Sequence, residues 1–147
     1  MEIDRNAPVW AERDIEIAAP IETVWEVLTR VDDWPMWFSE GESAAIAGPV
    51  AAGTTLRMKS RDPGTITARI EQVDEPHLLA WTGRTLGISA IHVWRLDRGE
   101  GGTRVRTQES MEGLPARLLR RTMRKKLDGV LETWLRDLKS EAERRAS

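Results

Sequence analysis

Alternating polar and apolar positions predict a first strand near the start of the chain. Arg13–Ala19 alternates in this way, which is the period of a strand with one buried face. Pro20 then suits the first turn of a helix, and apolar residues recur at helical spacing as far as Arg30. Asp32–Phe38 resembles a second helical turn, because Asp32 can accept the free backbone amides at its start. We therefore expect one strand followed by two short helices.

The middle of the chain is patterned as a series of antiparallel hairpins. The predicted strands are a short one after Gly41, then Thr54–Ser60, Thr65–Val73, His77–Thr82, Leu86–Asp97 and Thr103–Met111. Turn-forming residues separate them at Asp62-Pro63-Gly64, Asp74-Glu75-Pro76, near Gly83 and at Gly99–Gly102. Connections this short favour hairpins over the crossover helices of a parallel sheet.

A long helix is predicted at the end of the chain, over residues 114–145. After Gly113 the period becomes helical, and one apolar stripe contains Leu119, Met123, Leu127, Val130, Leu131, Trp134, Leu138 and Ala142. A continuous apolar stripe must be buried, and the sheet is the wide surface available. The chain is thus predicted to be a single α+β domain, residues 1–147, with a sheet of about seven antiparallel strands.

Composition excludes several kinds of chemistry. The 147 residues include no cysteine, which rules out disulfides, thiolate metal sites and a cysteine nucleophile, and only two histidines. No Gly-rich phosphate loop and no Gly-x-Ser-x-Gly sequence occurs. We therefore expect no metal and no obligatory cofactor. The N-terminus lacks the apolar run of a secretory signal and no apolar stretch is long enough to span a membrane, so we expect a cytoplasmic protein without integral membrane association.

Several local sequences, together with the predicted element order, resemble one known superfamily. They are Ala19–Trp25, Asp32–Trp37, Trp81–Arg84, Gly102–Val105 and Glu109–Gly113. The chain resembles the START-like (SRPBCC) superfamily, and within it the polyketide cyclase/dehydrase and lipid-transport branch. The resemblance runs from about Asp14 to Ala142 and implies a helix-grip fold, in which a curved antiparallel sheet wraps around the C-terminal helix over a hydrophobic cavity. It does not imply one activity, because such folds serve many functions.

Two polar residues stand out on the predicted cavity face. Strict alternation places His92 and Glu109 among apolar positions of the last two long strands. A hairpin turning at Gly99–Gly102 brings His92 opposite Thr107 or Glu109. An imidazole beside a carboxylate in an apolar cleft suits acid–base catalysis or orientation of a polar ligand group. The alternative is that the two side chains satisfy each other's hydrogen bonds, as buried polar groups usually must.

The seven tryptophans provide flat walls for a planar apolar ligand. Trp81 and Trp94 are predicted in the cavity, and Trp34 and Trp37 either form one lip of its entrance or fasten their segment to the long helix. Trp25 and Trp134 lie on helix stripes and are assigned to core packing. The remaining candidate ligand-binding residues are Met58, Ile70, Ile88 and Thr107 on the strands, Arg84 in the turn predicted near Gly83, and Met123 and Leu127 on the helix.

Charge is distributed unevenly along the chain. The net charge is −2, which argues against nucleic-acid binding, but residues 114–147 hold ten basic and five acidic residues. A basic run without acids contains Arg117, Arg120, Arg121, Arg124, Lys125 and Lys126. We expect this run to form a solvated face, or one complemented by acids of the sheet. A membrane contact is not expected, because it requires exposed Trp, Phe or Leu, and the first helical turns are predicted to have none.

Three functions remain open. The first is binding of a hydrophobic small molecule such as a lipid, a fatty acyl chain or a polyketide. The second is a polyketide cyclase or dehydratase that moves protons with His92 and Glu109. The third is an interaction protein that uses the basic helix face. A homodimer is left open.

Overall fold

One antiparallel sheet forms the frame of the molecule. The computed structural model describes residues 1–61 and 64–147, and over these residues the sheet has seven strands. They are β1 Val9–Ile17, β2 Gly41–Ile46, β3 Thr55–Ser60, β4 Thr65–Asp74, β5 Leu78–Thr85, β6 Ile88–Gly99 and β7 Gly102–Glu112. Their order is β1-β7-β6-β5-β4-β3-β2, so consecutive strands from β2 to β7 are neighbours and β1 closes the far edge against β7.

The helices lie before and after the hairpin series. They are α1 Ile21–Thr29, a 3-10 turn Val31–Asp33, α2 Trp34–Trp37, α3 Leu114–Leu118 and α4 Arg120–Ala146. The two short helices and the long C-terminal helix complete the predicted helix-grip fold. None of the described helices is long and apolar enough to cross a membrane.

The predicted single helix over residues 114–145 is wrong at its start. Leu119 has φ −114° and ψ 36°, outside the helical region, and this residue separates α3 from α4. The break lets α3 bend towards β6 and β7, where Ala116 is fully buried beside Val9 and Leu127. The sequence pattern misses it because leucines continue at helical spacing through the break.

The apolar stripe of α4 is what attaches this helix to the sheet. Its buried residues are Leu127, Leu131, Trp134, Leu135, Leu138 and Ala142, all but Leu135 belonging to the predicted stripe. Leu119, predicted in the same stripe, is exposed because it lies at the break. Full burial of one leucine stabilises a fold by roughly 1.5–3 kcal/mol. The buried stripe therefore contributes most of the free energy that attaches α4 to the sheet.

The turn predicted near Gly83 lies elsewhere. Strand β5 continues through Gly83 to Thr85, and the chain reverses at Leu86 and Gly87, whose φ values are 47° and 78°. Two successive positive φ values are typical of a two-residue hairpin. Gly83 instead provides room inside the sheet, because a Cβ there would lie 3.4 Å from Ile66 Cγ2. The turn predicted at residues 62–64 falls mostly outside the described residues.

The boundaries of the first elements also differ from those predicted. Strand β1 begins at Val9 rather than Arg13, because the N-terminal residues fold over the outer face and bury Ile3 among Leu78, Ala80 and Val93. Asp32 caps no helix. Its Oδ1 accepts a hydrogen bond of 3.1 Å from the Ile46 backbone N–H instead, and so ties the 3-10 turn to the edge strand β2.

Candidate functional site

A cavity of about 460 Å³ lies between the concave face of the sheet and α4. Most of its lining is apolar, and it opens at the end of the molecule where the β5–β6 turn meets α3. Nine residues of the predicted site line it: Trp34, Met58, Trp81, Arg84, Ile88, His92, Glu109, Met123 and Leu127. Its volume falls within the usual range of small-molecule sites.

Aromatic rings form one wall of this cavity. The rings of Trp34 and Trp81 lie with centroids 5.7 Å apart, and Trp34 meets the edge of Trp134 at 5.0 Å. Phe38 stacks on Trp134. Both residues line the cavity, although Trp134 is predicted to pack in the core and the sequence pattern does not place Phe38 at the site. The position of Trp134 on the apolar stripe of the helix, one turn beyond Val130, was enough to predict that it faces the sheet and therefore the cavity.

His92 and Glu109 are brought together by the β6–β7 register. The two residues are directly opposite each other in the ladder, and Trp94 is opposite Thr107. The His92 Nδ1–Glu109 Oε1 distance is 2.8 Å, and His92 Nε2 lies 2.7 Å from Thr107 Oγ1. The three side chains thus form a continuous chain Glu109–His92–Thr107 on the concave face of the sheet.

Both nitrogens of the His92 imidazole are used within this chain. An ionised carboxylate only accepts hydrogen bonds, so Nδ1 carries the proton that His92 donates to Glu109. With His92 neutral, Nε2 then accepts a hydrogen bond from the Thr107 hydroxyl. The imidazole is 4% exposed and is packed between Trp81 and Trp94, with ring centroids 4.9 Å and 5.0 Å away. His92 therefore has no nitrogen left to address a ligand.

Glu109 is the member of the chain that remains available to a ligand. Its side chain is 13% exposed and lines the cavity, and within the described part of the chain no hydrogen bond is made by its second oxygen, Oε2. A carboxylate oxygen can accept a hydrogen bond from a ligand hydroxyl or remove a proton from an acidic carbon. Of the two, Glu109 has an oxygen open to the cavity, and His92 holds its carboxylate in place through the contact at Oε1.

Four predicted ligand-binding residues do not line the cavity. Trp94 is fully buried behind Trp81 and Trp134, and Ile70 is enclosed in the core beside Trp81 in the β4–β5 ladder. Thr107 is fully buried with its hydroxyl directed to His92. Trp37 packs on the outer side of Phe38 and Trp134, where it fastens α2 to α4.

Arg84 is displaced from its predicted position in a turn. It lies within β5, near the end of the strand, where it is exposed at the rim of the cavity. It also borders a depression of about 600 Å³ on the outer face, which is lined by residues of β3 to β7 and by Asp4 and Ala7. That depression lacks the aromatic wall of the inner cavity, so we take the inner cavity as the candidate site.

An open sheet that grips a long helix over an apolar cavity defines the START-like, helix-grip class of proteins. The chain belongs to the family described as polyketide cyclase/dehydrase and lipid transport, whose sequence model matches residues 9–143. This covers nearly the whole chain and confirms the resemblance predicted from its local motifs. No curated protein matches the sequence.

Solved structures share the same fold at low sequence identity. The aromatase/cyclase ZhuI from Streptomyces sp. R1128 superposes with a TM-score of 0.81 at 19% identity, covering 94% of this chain and 95% of that one. A START superfamily protein from Mycobacterium smegmatis gives a TM-score of 0.77 at 15% identity, covering 92% and 97%. A hypothetical protein from Helicobacter pylori gives 0.80 at 16% identity, covering 94% and 90%.

Proposed function

We propose that this protein binds a hydrophobic small molecule in the cavity between the sheet and α4. The observation that carries the proposal is an apolar cavity of about 460 Å³ with an aromatic wall and the carboxylate of Glu109, which is 13% exposed and oriented by His92. Trp34, Trp81 and Trp134 offer flat surfaces to a planar ligand, and Glu109 Oε2 offers a fixed acceptor for one polar group. Lipids, fatty acyl chains and polyketides with a hydroxyl all meet this description.

The ligand class is tested by native mass spectrometry of the freshly purified protein. The expected result is an excess mass that disappears on denaturation and is recovered in an organic extract. An independent test follows the fluorescence of 1-anilinonaphthalene-8-sulfonate, an anionic dye whose aromatic rings bind apolar cavities. We expect the dye to bind and the extracted ligand to displace it.

A matched pair of variants locates the binding. Ala90 lines the cavity, whereas its neighbour Ser89 is exposed on the other side of the same strand. Ala90→Leu fills part of the cavity and should weaken dye binding about tenfold or more, and Ser89→Leu should leave it unchanged. Equal affinity in both variants would contradict binding in this cavity.

A second candidate function is proton transfer in a polyketide cyclase or dehydratase. The observation that favours it is the ordered chain Glu109–His92–Thr107, which goes beyond what a passive carrier needs. Glu109 would remove a proton from the methylene between two carbonyls of a poly-ketone chain. The resulting carbanion attacks another carbonyl carbon of the chain, a carbon–carbon bond forms, and the alkoxide recovers the proton from Glu109 as a hydroxyl. Later loss of this hydroxyl with a neighbouring hydrogen, as water, would give the double bond.

Glu109→Gln distinguishes the two functions. Glutamine keeps the size and an acceptor oxygen but cannot take up a proton. A carrier should retain ligand affinity within a few fold, while an enzyme should lose turnover of a poly-ketone substrate by about 10²-fold or more with affinity retained. A Glu109→Gln variant with full turnover would remove Glu109 as the base.

A further inference from the structure

Four exposed leucines form a patch around the mouth of the cavity. Leu86 in the β5–β6 turn and Leu114, Leu118 and Leu119 at the start of the C-terminal helices are between 55 and 72% exposed. Leu114 and Leu118 are four positions apart in α3 and therefore lie on the same face of that helix. We call these four residues the leucine patch. Large apolar side chains clustered in this way are unusual on a free surface and mark a contact site.

The leucine patch is one contiguous surface rather than two separate loops. The β5–β6 turn packs directly on α3, because a Cβ at Gly87 would lie 3.8 Å from Pro115 Cδ, and one at Gly113 would collide with the Gly87 carbonyl. Leu86, Pro115 and Leu119 also line the cavity. The apolar interior is therefore continuous with the apolar patch outside it.

Basic side chains follow the leucine patch along the chain, in α3 and the first turns of α4, and we call them the basic border. Arg117, Arg120, Arg121, Arg124 and Lys125 are all exposed. Arg117 is paired with Glu112 at 2.8 Å, but Arg121, Arg124 and Lys125 form no ion pair with any residue that the structure describes. Of the two arrangements expected for this run, these three residues therefore show the solvated one and not complementation by acids of the sheet. The assumption that the first helical turns lack exposed leucine is wrong.

We propose that the leucine patch and its basic border dock the protein on the surface of an anionic lipid bilayer. Apolar side chains that enter the acyl boundary beside cations that meet lipid phosphates are the two components of reversible interfacial binding. Such docking faces the cavity mouth towards the hydrocarbon. An acidic protein would satisfy the cations equally well but leaves no role for leucines that are continuous with the cavity, so the bilayer is the favoured partner. Docking requires no cavity ligand and goes beyond the proposed function.

The test is co-sedimentation with vesicles of phosphatidylcholine, with and without phosphatidylserine, at low and high salt. We expect binding to the phosphatidylserine vesicles that weakens with salt. Leu114→Asn combined with Leu118→Asn should reduce the partition coefficient about tenfold or more, and neither substitution disturbs a buried contact. Met36→Asn is the matched control, since Met36 is 82% exposed away from the patch and should have no effect.

The basic border is tested separately by Arg121→Gln, Arg124→Gln and Lys125→Gln in one variant. We expect this variant to lose the dependence of binding on phosphatidylserine. A control variant with Arg57→Gln, Lys59→Gln and Arg69→Gln on the sheet should keep that dependence.

Absence of binding to anionic vesicles would overturn the proposal. Salt-sensitive binding that the leucine substitutions leave unchanged would also overturn it, because that result indicates an electrostatic partner such as an acidic protein. The Ala90→Leu variant should still sediment with vesicles, which separates failure of docking from failure of cavity binding.

Discussion

Phe38 lies flat against Trp134, with ring centroids 3.6 Å apart and ring planes 9° from parallel. Phe38 is the C-cap residue that directly follows α2, and Trp134 is in the middle of the apolar stripe of α4. The stack therefore joins the short N-terminal helices to the C-terminal helix across the molecule. Because both rings also line the cavity, one contact determines the position of the cavity wall as well as the attachment of α2.

Phe38→Ala should strongly destabilise the fold. The substitution removes a fully buried ring and leaves a void against Trp134, and losses of this kind lower the free energy of unfolding by about 3–5 kcal/mol. Met36→Ala, in the same short helix but largely exposed, should change stability by no more than about 0.5 kcal/mol. Urea unfolding followed by tryptophan fluorescence measures both. Equal stability of the two variants would contradict the importance of the stack.

Thr107→Val should destabilise the fold, because it removes the hydroxyl that donates a hydrogen bond to His92 Nε2. Valine matches the shape of threonine but cannot donate to Nε2, and a buried polar atom without a partner lowers stability by about 1–3 kcal/mol. Thr107→Ser keeps the hydroxyl and should lose less. The unfolding free energy gives the stability, and ¹⁵N chemical shifts of the His92 ring report which nitrogen carries the proton. Unchanged ring shifts in the valine variant would rule out the Thr107–His92 hydrogen bond.

Two glycines should respond to alanine in opposite ways. A Cβ at Gly102 would collide with the backbone of Ile17 at the end of β1, so Gly102→Ala should be severely destabilised or fail to fold. A Cβ at Gly129, in α4, would meet nothing within 4 Å, so Gly129→Ala should raise the free energy of unfolding by about 0.5–1 kcal/mol. Thermal unfolding of the two variants and of the parent protein measures both changes in stability. A stable Gly102→Ala variant would show that β1 and β7 separate more easily than described.

Glu141 should contribute to stability in a pH-dependent way. Hydrogen bonds from the guanidinium groups of Arg144 and then Arg145 lower the pKa of Glu141 to about 2 from its usual 4.5. A carboxyl group with a lowered pKa in the folded state stabilises the fold above its unfolded-state pKa. That contribution is lost as the pH falls from about 4.5 to about 2.

Glu141→Gln provides the measurement of this effect. The variant should be less stable than the parent near neutral pH, and the difference should shrink as the solution is acidified through this range. Glu100→Gln, in the exposed β6–β7 turn, is a suitable control. A stability difference that stays constant down to the acid limit would show that the Arg144 and Arg145 contacts do not depend on the charge of Glu141.

Periodicity was sufficient to predict the frame of the molecule but not its exceptions. The turn at Gly99–Gly102 limits the β6–β7 register to two choices, with His92 opposite Thr107 or Glu109, and the structure has it opposite Glu109. The break at Leu119 could not be read from the sequence, because leucines occur at helical spacing on both sides of it. The sequence predicts a turn near Gly83, but glycine is used equally where a strand needs space for a neighbouring side chain.

Some residues predicted to line the cavity do not do so, because the sequence does not show how deeply each side chain is covered. Alternation tells which face of the sheet a side chain is on, but not how deeply neighbouring side chains cover it. Trp94 and Ile70 lie on the concave face as expected, yet neighbouring rings and the core enclose them. Exposure of the leucine patch was missed for a related reason, since an apolar residue at helical spacing is buried only where the helix has a partner.

The hydrogen bond from Ile46 to Asp32 affects how this protein meets other copies of itself. Strand β2 is the last in the sheet, and an unpaired edge invites another strand to extend it into an aggregate. Here one outward amide is already engaged by a side chain, and the pairing of β2 with β3 shifts between Gly41 and Ser43. An incoming strand would find an interrupted row of donors. Asp32 thereby disfavours the pairing of β2 with a strand of another copy, which is the first step of fibrous self-association.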